Sequence, residues 1–289
     1  MIAWRDSLLN EKETIVGYKS LLVHLELGRS NEHLLQVAGE LSERFGARVM
    51  GVAACAPPMM VYGDIGLAGD AWVAVRDAVD QQVGTAEGEF RDAFRDRRVD
   101  LDWRAMKDYA DLAQCISRQA RTADLVVTAV GQGDMFDGTR ALSTGALVMQ
   151  VGRPVLLVPL ARPPTKFDRV LVGWKDSRET RRAIADALPL MRRAKVTVVE
   201  VVKEGHMDAA RRHLDEVVAW LMQHDVAARA FPVSSRGDDA ADLRSVADSE
   251  HCDIIVAGAY GHSRLREWIL GGVTTDLLMS PRRCSLVSH

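Results

Sequence analysis

The chain has 289 residues, of which 47% are hydrophobic and 27% are charged, and its formal net charge is −3. This length and composition are typical of a globular protein with two domains of roughly 140 residues each. The small net charge gives no electrostatic reason to expect a nucleic acid partner. No run reaches the roughly 18 apolar residues that a membrane helix needs, so no membrane partner is expected either.

Strand and helix patterns alternate through the first half of the chain. Strands are predicted from short β-branched or apolar runs, and helices from apolar residues spaced three and four apart. The predicted strands are residues 18–25, 48–54, 99–106, 124–130 and 154–159. The predicted helices are residues 30–45, 71–95, 110–121 and 141–150. Because parallel neighbours need crossover connections, this alternation predicts a parallel sheet with helices on both faces.

The same alternation returns after Arg162-Pro163-Pro164-Thr165-Lys166, a stiff segment that suits a domain boundary. Asp176 is predicted to cap the first helix of the second half, with Glu179 completing a capping box, and Pro189 is expected to bend or end that helix. The remaining predicted helices are residues 208–224 and 240–250. The predicted strands are residues 169–174, 196–202, 228–233, 254–258 and 285–288.

Two segment pairs indicate an internal duplication. TADLVVTAVGQG in the first half matches HCDIIVAGAYGH about 130 residues later, and GRPVLLVP matches RRCSLVSH. A period this long predicts tandem domains and not a solenoid, whose repeats are shorter. We expect the two copies to form an internal pseudo-dimer, in which each covers part of the other as a C2 partner would. Whether whole chains also form a homodimer is left open by the sequence.

A glycine-rich stretch follows the predicted strand at residues 254–258. Gly258 and Gly261 are three apart, and Gly271 and Gly272 stand directly before Val273, which can open a helix. Glycine lets backbone N–H groups approach a ligand, and a helix N-terminus attracts anions. The spacing therefore indicates a phosphate site. The alternative is that these glycines only form two loop turns and the start of a helix.

The G-x2-G-x9-G spacing after a terminal βα unit resembles the nucleotide-binding signature of the universal stress protein family. GYKSLLVHLELG and RVLVGWKDSRETRRAIADALPLM resemble the family's opening strand, and DLVV with GRPVLLVP resembles its fourth and fifth strands. The resemblance covers the chain from Tyr18 onward. It implies two tandem doubly wound five-stranded parallel sheets, each of the adenine nucleotide alpha hydrolase-like order 3-2-1-4-5. The implied domains are residues 18–161 and 162–289, after an N-terminal extension at 1–17.

The resemblance also implies ATP between the carboxyl ends of strands one and four, where the crevice rule for open α/β sheets places a ligand too. Whether magnesium binds together with that nucleotide is left open by the sequence. Trp174 and Lys175 would lie near the base or sugar, and the glycines would bind phosphate through backbone N–H groups. The candidate binding residues are Trp174, Lys175, Gly258, Gly261, Gly271, Gly272, Val273 and Thr274.

Two positions depart from the family's pattern. Lys175 stands where the opening strand commonly ends in Asp, and Gly272 stands where Ser or Thr usually follows the last glycine. Lysine cannot accept hydrogen bonds from ribose, although it can reach phosphate as a point charge. A solvated Lys175 and a core Trp174 are the alternatives.

The first half lacks the glycine spacing. Glu26 keeps an acid at the end of its opening strand, but Asp134 and Asp137 in the loop at 131–138 would repel phosphate. We therefore expect nucleotide in the second half alone and a structural role for the first.

No nucleophile elbow, P-loop or metal-binding histidine spacing is present in the sequence. The sequence thus favours a stress-response sensor without catalytic or metal residues over an enzyme. The alternative is an interaction module of the same fold that has lost its nucleotide site. Four scattered cysteines without C-x-x-C, and an N-terminus that does not resemble a signal peptide, predict a cytoplasmic location.

Overall fold

The structure is a computed structural model. It describes residues 17–55, 68–107, 111–130, 142–161, 163–259 and 283–289. In the first half these residues form the following elements: β1 Ser20–Leu25, α1 Glu32–Phe45, β2 Arg48–Ala54, α2 Ala68–Ala93, β3 Leu101–Met106, α3 Leu112–Gln119, β4 Leu125–Ala129, α4 Thr144–Val151 and β5 Val155–Val158. In the second half they form β6 Arg169–Trp174, α5 Arg178–Met191, β7 Lys195–Val202, α6 Met207–Gln223, β8 Ala228–Ser234, α7 Asp239–Ser249, β9 Ile254–Gly258 and β10 Cys284–Ser288. None of the helices in these ranges is both long and apolar enough to cross a membrane.

The strands form one ten-stranded sheet in the order β3-β2-β1-β4-β5-β10-β9-β6-β7-β8. Each half has the predicted order 3-2-1-4-5 with parallel neighbours, which confirms the predicted fold. The two sheets are joined by β5 and β10, which pair antiparallel with Leu156 opposite Leu286. Because an unpaired edge exposes free N–H and C=O groups, this pairing protects the fifth strand of each half.

The two halves share one hydrophobic core on the face covered by α1, α2, α5 and α6. Leu156 and Leu286, from the two strands of the junction, are both fully buried in it. Polar contacts reinforce the junction, because the Tyr18 hydroxyl donates a 2.6 Å hydrogen bond to the Asp186 carbonyl of α5. Arg44 of α1 likewise donates to the Leu190 carbonyl of α5 at 3.0 Å. The halves are therefore packed together and not only linked along the chain.

A carboxylate ties the first strand of each half to the fourth. Asp124 Oδ2 accepts hydrogen bonds from the backbone N–H groups of Lys19 and Ser20 at 2.7 and 3.0 Å. Asp253 Oδ2 accepts from those of Asp168 and Arg169 at 3.0 and 2.9 Å. These two aspartates occupy matching places in TADLVV and HCDIIV, so the duplication extends to individual hydrogen bonds.

We expect Asp253→Ala to lower the free energy of unfolding by about 1.5 kcal/mol, since hydrogen bonds to a charged group are removed and water can replace part of them. Chemical denaturation measures this loss. Asp215→Ala is the control, because Asp215 is exposed on α6 and its removal should change stability by less than about 0.5 kcal/mol. Equal effects of the two substitutions would contradict the role given to Asp253.

The start and end of α5 differ from the prediction. Ser177, and not Asp176, is the N-cap: its hydroxyl accepts a 3.3 Å hydrogen bond from the Thr180 N–H. Asp176 pairs with Arg181 instead, so the predicted capping box with Glu179 is wrong. Pro189 does not stop the helix, which continues to Met191. A proline near the C-terminal end removes one N–H donor from the final turns only, which limits its effect.

Candidate functional site

The carboxyl ends of β6 and β9 lie side by side, because these two strands are parallel neighbours with Gly173 opposite Ala257. Helix α5, which follows β6, and helix α7, which precedes β9, lie on opposite faces of the sheet here. A Cβ on Gly173 would meet Leu243 of α7 at 2.9 Å, whereas Trp174 packs against the core that α5 and α6 cover. Such a divergence leaves a crevice beyond the strand ends in open α/β sheets.

Lys175 directly follows β6 and is exposed at this edge. Its carbonyl accepts a 2.7 Å hydrogen bond from the Ser177 N–H, which fixes the turn into α5. The matching residue of the first half, Glu26, is half-buried, and Arg29 lies 3.8 Å from its carboxylate. Burial raises the pKa of Glu26, and the charge of Arg29 opposes this shift. The two strand ends therefore carry opposite charges in different surroundings.

Gly258, the last residue of β9, has a packing role that the sequence did not reveal. A Cβ built on it would lie 2.5 Å from the Thr180 nitrogen and 2.6 Å from the Glu179 carbonyl carbon. These are backbone atoms of the first turn of α5, and they cannot yield as a flexible side chain would. Glycine at this position therefore lets α5 rest directly on the end of β9.

Most of the predicted phosphate cradle falls outside the described residues. Gly261, Gly271, Gly272, Val273 and Thr274 belong to residues 260–282, and their proposed contacts stay predictions. The same holds for Asp134 and Asp137 of the first half, which lie within residues 131–141. Of the eight candidates, the structure places Trp174, Lys175 and Gly258 at the carboxyl edge of β6 and β9.

A groove of about 520 Å³ runs between α5 and α6. We call it the α5–α6 groove, and it is lined by Trp174, Arg181, Ile184, His213, Val217 and Trp220. The carboxylates of Asp176 and Glu216 complete its lining. Trp174 is thus half-buried and faces a groove, with one side of the ring against the core.

Two buried polar atoms have no hydrogen-bond partner among the described residues: Nε1 of Trp174, which lines the groove, and Oε2 of Glu200, on the neighbouring strand. Trp174 and Glu200 are directly opposite each other on β6 and β7, so their side chains share one face of the sheet. Burial raises the pKa of Glu200, and Asp176 adds to that rise, while His213 and Lys175 oppose it. Sequence reasoning missed Glu200, although an acid within the apolar run KVTVVEVV was a usable signal.

The described ranges contain no group of three metal-ligating side chains that could hold a metal ion. All four cysteines are buried. Burial raises the pKa of the Cys252 thiol to about 11 and that of Cys284 to about 12. Since the thiolate is the reactive form, these two thiols are poorly suited to redox chemistry at neutral pH.

Comparison with known proteins gave a family match for the second half of the chain and a fold for the whole chain. Residues 166–281 match the sequence profile of the universal stress protein family. A universal stress protein from Archaeoglobus fulgidus DSM 4304 is similar in structure with a TM-score of 0.67 and 13% identity, over 93% of this chain and 97% of that chain. A putative universal stress protein from Pseudomonas aeruginosa UCBPP-PA14 aligns with a TM-score of 0.63 and 13% identity, over 95% of this chain and 94% of that chain.

No curated protein matches the chain. At 13% identity the two structural similarities establish the fold alone. The sequence match of the second half is independent of them, and the first half repeats the strand order of the second. Residues 166–281 therefore match a universal stress protein domain, and the first half of the chain has the same strand order.

Proposed function

We propose that the protein is a stress-response sensor that binds ATP at the carboxyl edge of β6 and β9, in its second half only. One observation carries this proposal: β6 and β9 are hydrogen-bonded neighbours where the covering helices lie on opposite faces, and the glycine-rich segment begins where β9 ends. Ligands of open α/β sheets bind at this kind of position. Backbone N–H groups of a glycine-rich loop are suitable partners for phosphate.

Lys175 supports the same site through its charge. It is exposed at the end of β6, so its ammonium group can approach phosphate without losing an ion pair to a described acid. In the first half Glu26 keeps an acid at the corresponding place, but the glycine spacing that would bind phosphate is absent from that half. The binding residues we propose are Trp174, Lys175, Gly258, Gly261, Gly271, Gly272, Val273 and Thr274, with magnesium as a companion of ATP.

The remaining parts of the proposal concern organisation and role. We propose a first domain at residues 18–161 and a second at 162–289, after an extension at 1–17. The protein acts as a cytoplasmic sensor and not as an enzyme, and whole chains can pair further as a homodimer. The competing function is an interaction module without nucleotide, which Lys175 and Gly272 favour because both depart from the family's nucleotide signature.

Equilibrium binding of ATP in the presence of magnesium tests the proposal. We expect Lys175→Ala to weaken ATP binding about fivefold, because one exposed charge contributes about 1 kcal/mol. Gly272→Ser, which restores the family's hydroxyl, should strengthen it. Lys195→Ala is the control, since Lys195 is an exposed lysine at the opposite end of β7. A folded protein that binds no ATP at millimolar concentration would refute the proposal and favour the interaction module.

A further inference from the structure

The α5–α6 groove is separated from the glycine-rich edge by the first turn of α5. Backbone atoms of Glu179 and Thr180 rest on Gly258, at the end of β9. Arg181 and Ile184 lie farther along α5 and line the groove. The groove therefore opens over β6 and β7, and a molecule in it would not need the residues that follow β9.

The groove lining contains an unsatisfied donor, on Trp174, and an unsatisfied acceptor lies next to it on Glu200, which is opposite Trp174 on β7. Trp174 Nε1 and Glu200 Oε2 are both buried, and neither has a partner among the described residues. A buried polar group without a hydrogen bond costs about 1–3 kcal/mol, and a charged group costs more. Folded proteins rarely leave such groups unpaired, so two of them on adjacent strands require an explanation. A bound molecule that supplies a donor and an acceptor provides one.

The charges around the groove favour a cation over an anion. Arg181 is already paired with Asp176, so its charge is largely compensated. Glu216 on α6 and Glu200 on β7 form no ion pair with a lysine or arginine in the described part of the chain. His213 and Lys175 offset part of the negative charge of Glu200.

The aromatic walls suit the same class of ligand. Trp174 and Trp220 both line the groove, and indole faces attract organic cations as well as apolar rings. One face of Trp220 is covered by His224, whose ring centre lies 4.4 Å away. The volume of about 520 Å³ lies within the usual range of small-molecule pockets, which is about 300–1,000 Å³.

We propose that the α5–α6 groove binds a small organic amine, whose ammonium group pairs with Glu200 and whose apolar body lies against Trp174 and Trp220. An oxygen atom beside the ammonium group accepts the hydrogen bond of Trp174 Nε1. Because both polar atoms are buried before binding, the Trp174 ring turns to admit the ligand. The preferred class is therefore a β-hydroxy amine with an aromatic or aliphatic body, and its site shares Trp174, but none of the glycines, with the proposed ATP site.

Four probes of similar size separate the contributions of the ammonium group, the neighbouring oxygen and the sign of the charge. They are 2-amino-1-phenylethanol, phenethylamine, 1-phenylethane-1,2-diol and mandelate. Calorimetry or ligand-observed NMR measures their affinities for the full chain. We expect the hydroxy amine to bind most tightly, the amine without oxygen more weakly, the uncharged diol about tenfold more weakly than the hydroxy amine, and the anion not at all. Mandelate binding as tightly as the hydroxy amine, or none of the probes binding at millimolar concentration, would overturn the proposal.

Variants locate the site. Glu200→Gln should weaken binding of the hydroxy amine about tenfold or more without unfolding the protein, since it removes an unpaired buried charge. Glu32→Gln, on the exposed side of α1, is the matched control and should leave binding unchanged. Trp220→Ala should also weaken binding, whereas Trp103→Phe in the first half should not. Unchanged affinity in a folded Glu200→Gln variant would refute the assignment.

Amine binding measured without ATP separates this inference from the proposed function. Binding of the hydroxy amine should persist even in a protein that binds no ATP, because Glu200 and Trp220 are not among the proposed ATP-binding residues. Amine binding that occurs only when ATP is present would contradict a separate amine site.

Discussion

Gly258→Ala should destabilise the protein by about 3 kcal/mol, at the upper end of the usual cost of adding a methyl group to a packed interior. The added Cβ would meet the Thr180 nitrogen at 2.5 Å, the Glu179 carbonyl carbon at 2.6 Å and the Thr180 hydroxyl oxygen at 2.8 Å. The first two are backbone atoms, so relief requires a shift of α5 itself. Because α5 also packs on the strands of the junction, we expect that shift to reduce stability throughout the chain.

Urea denaturation of the variant measures this cost. Gly88→Ala is the matched control, because a Cβ on Gly88 of α2 would meet nothing within 4 Å. Alanine in a helix interior is favoured over glycine, so this control should stabilise the protein by about 0.5–1 kcal/mol. If Gly258→Ala is neutral or stabilising, α5 does not rest on β9 as the structure shows.

Leu286→Ala should lower the free energy of unfolding by about 3–4 kcal/mol, the usual cost of truncating a fully buried leucine. Leu286 lies opposite Leu156 where β10 pairs with β5, and both side chains belong to the core shared by the halves. The loss of stability should therefore affect both halves of the chain. We expect a single unfolding transition for the whole chain, in the variant as in the unmodified protein.

Hydrogen exchange at the amides of β1 and β6 tests this shared stability. Protection should fall by a similar free energy in both strands when Leu286 is truncated, because opening either half exposes the other. Met222→Ala is the control, since Met222 is 66% exposed and its truncation should cost less than about 0.5 kcal/mol. Loss of protection in β6 with β1 unchanged would show that the halves unfold independently.

Local sequence patterns predicted the alternating strands and helices of each half, and the family resemblance implied their strand order. The predicted bounds of β2, β6 and β9 match the structure residue for residue, because each is a short apolar run ended by a charged residue, a glycine or a loop. The join between β5 and β10 was not predicted as a sheet pairing. It brings together strands more than 120 residues apart, and nothing in either segment specifies its partner.

The site was predicted less completely than the fold. Asp176 and Ser177 are adjacent residues that can both cap a helix, and only the geometry of the turn decides between them. Gly258 was interpreted through ligand approach, whereas its packing against α5 depends on a helix whose position the sequence does not give. Glu200 was missed because an unpaired buried atom can be recognised only when its neighbours are known.

The stoichiometry of ATP binding tests the central claim most directly. Equilibrium dialysis of the full chain with labelled ATP and magnesium should give one nucleotide bound per chain, and Lys175→Ala should weaken that binding while Lys195→Ala leaves it unchanged. Two nucleotides per chain would show that the first half also binds. No bound nucleotide at millimolar ATP would contradict a nucleotide site in this protein.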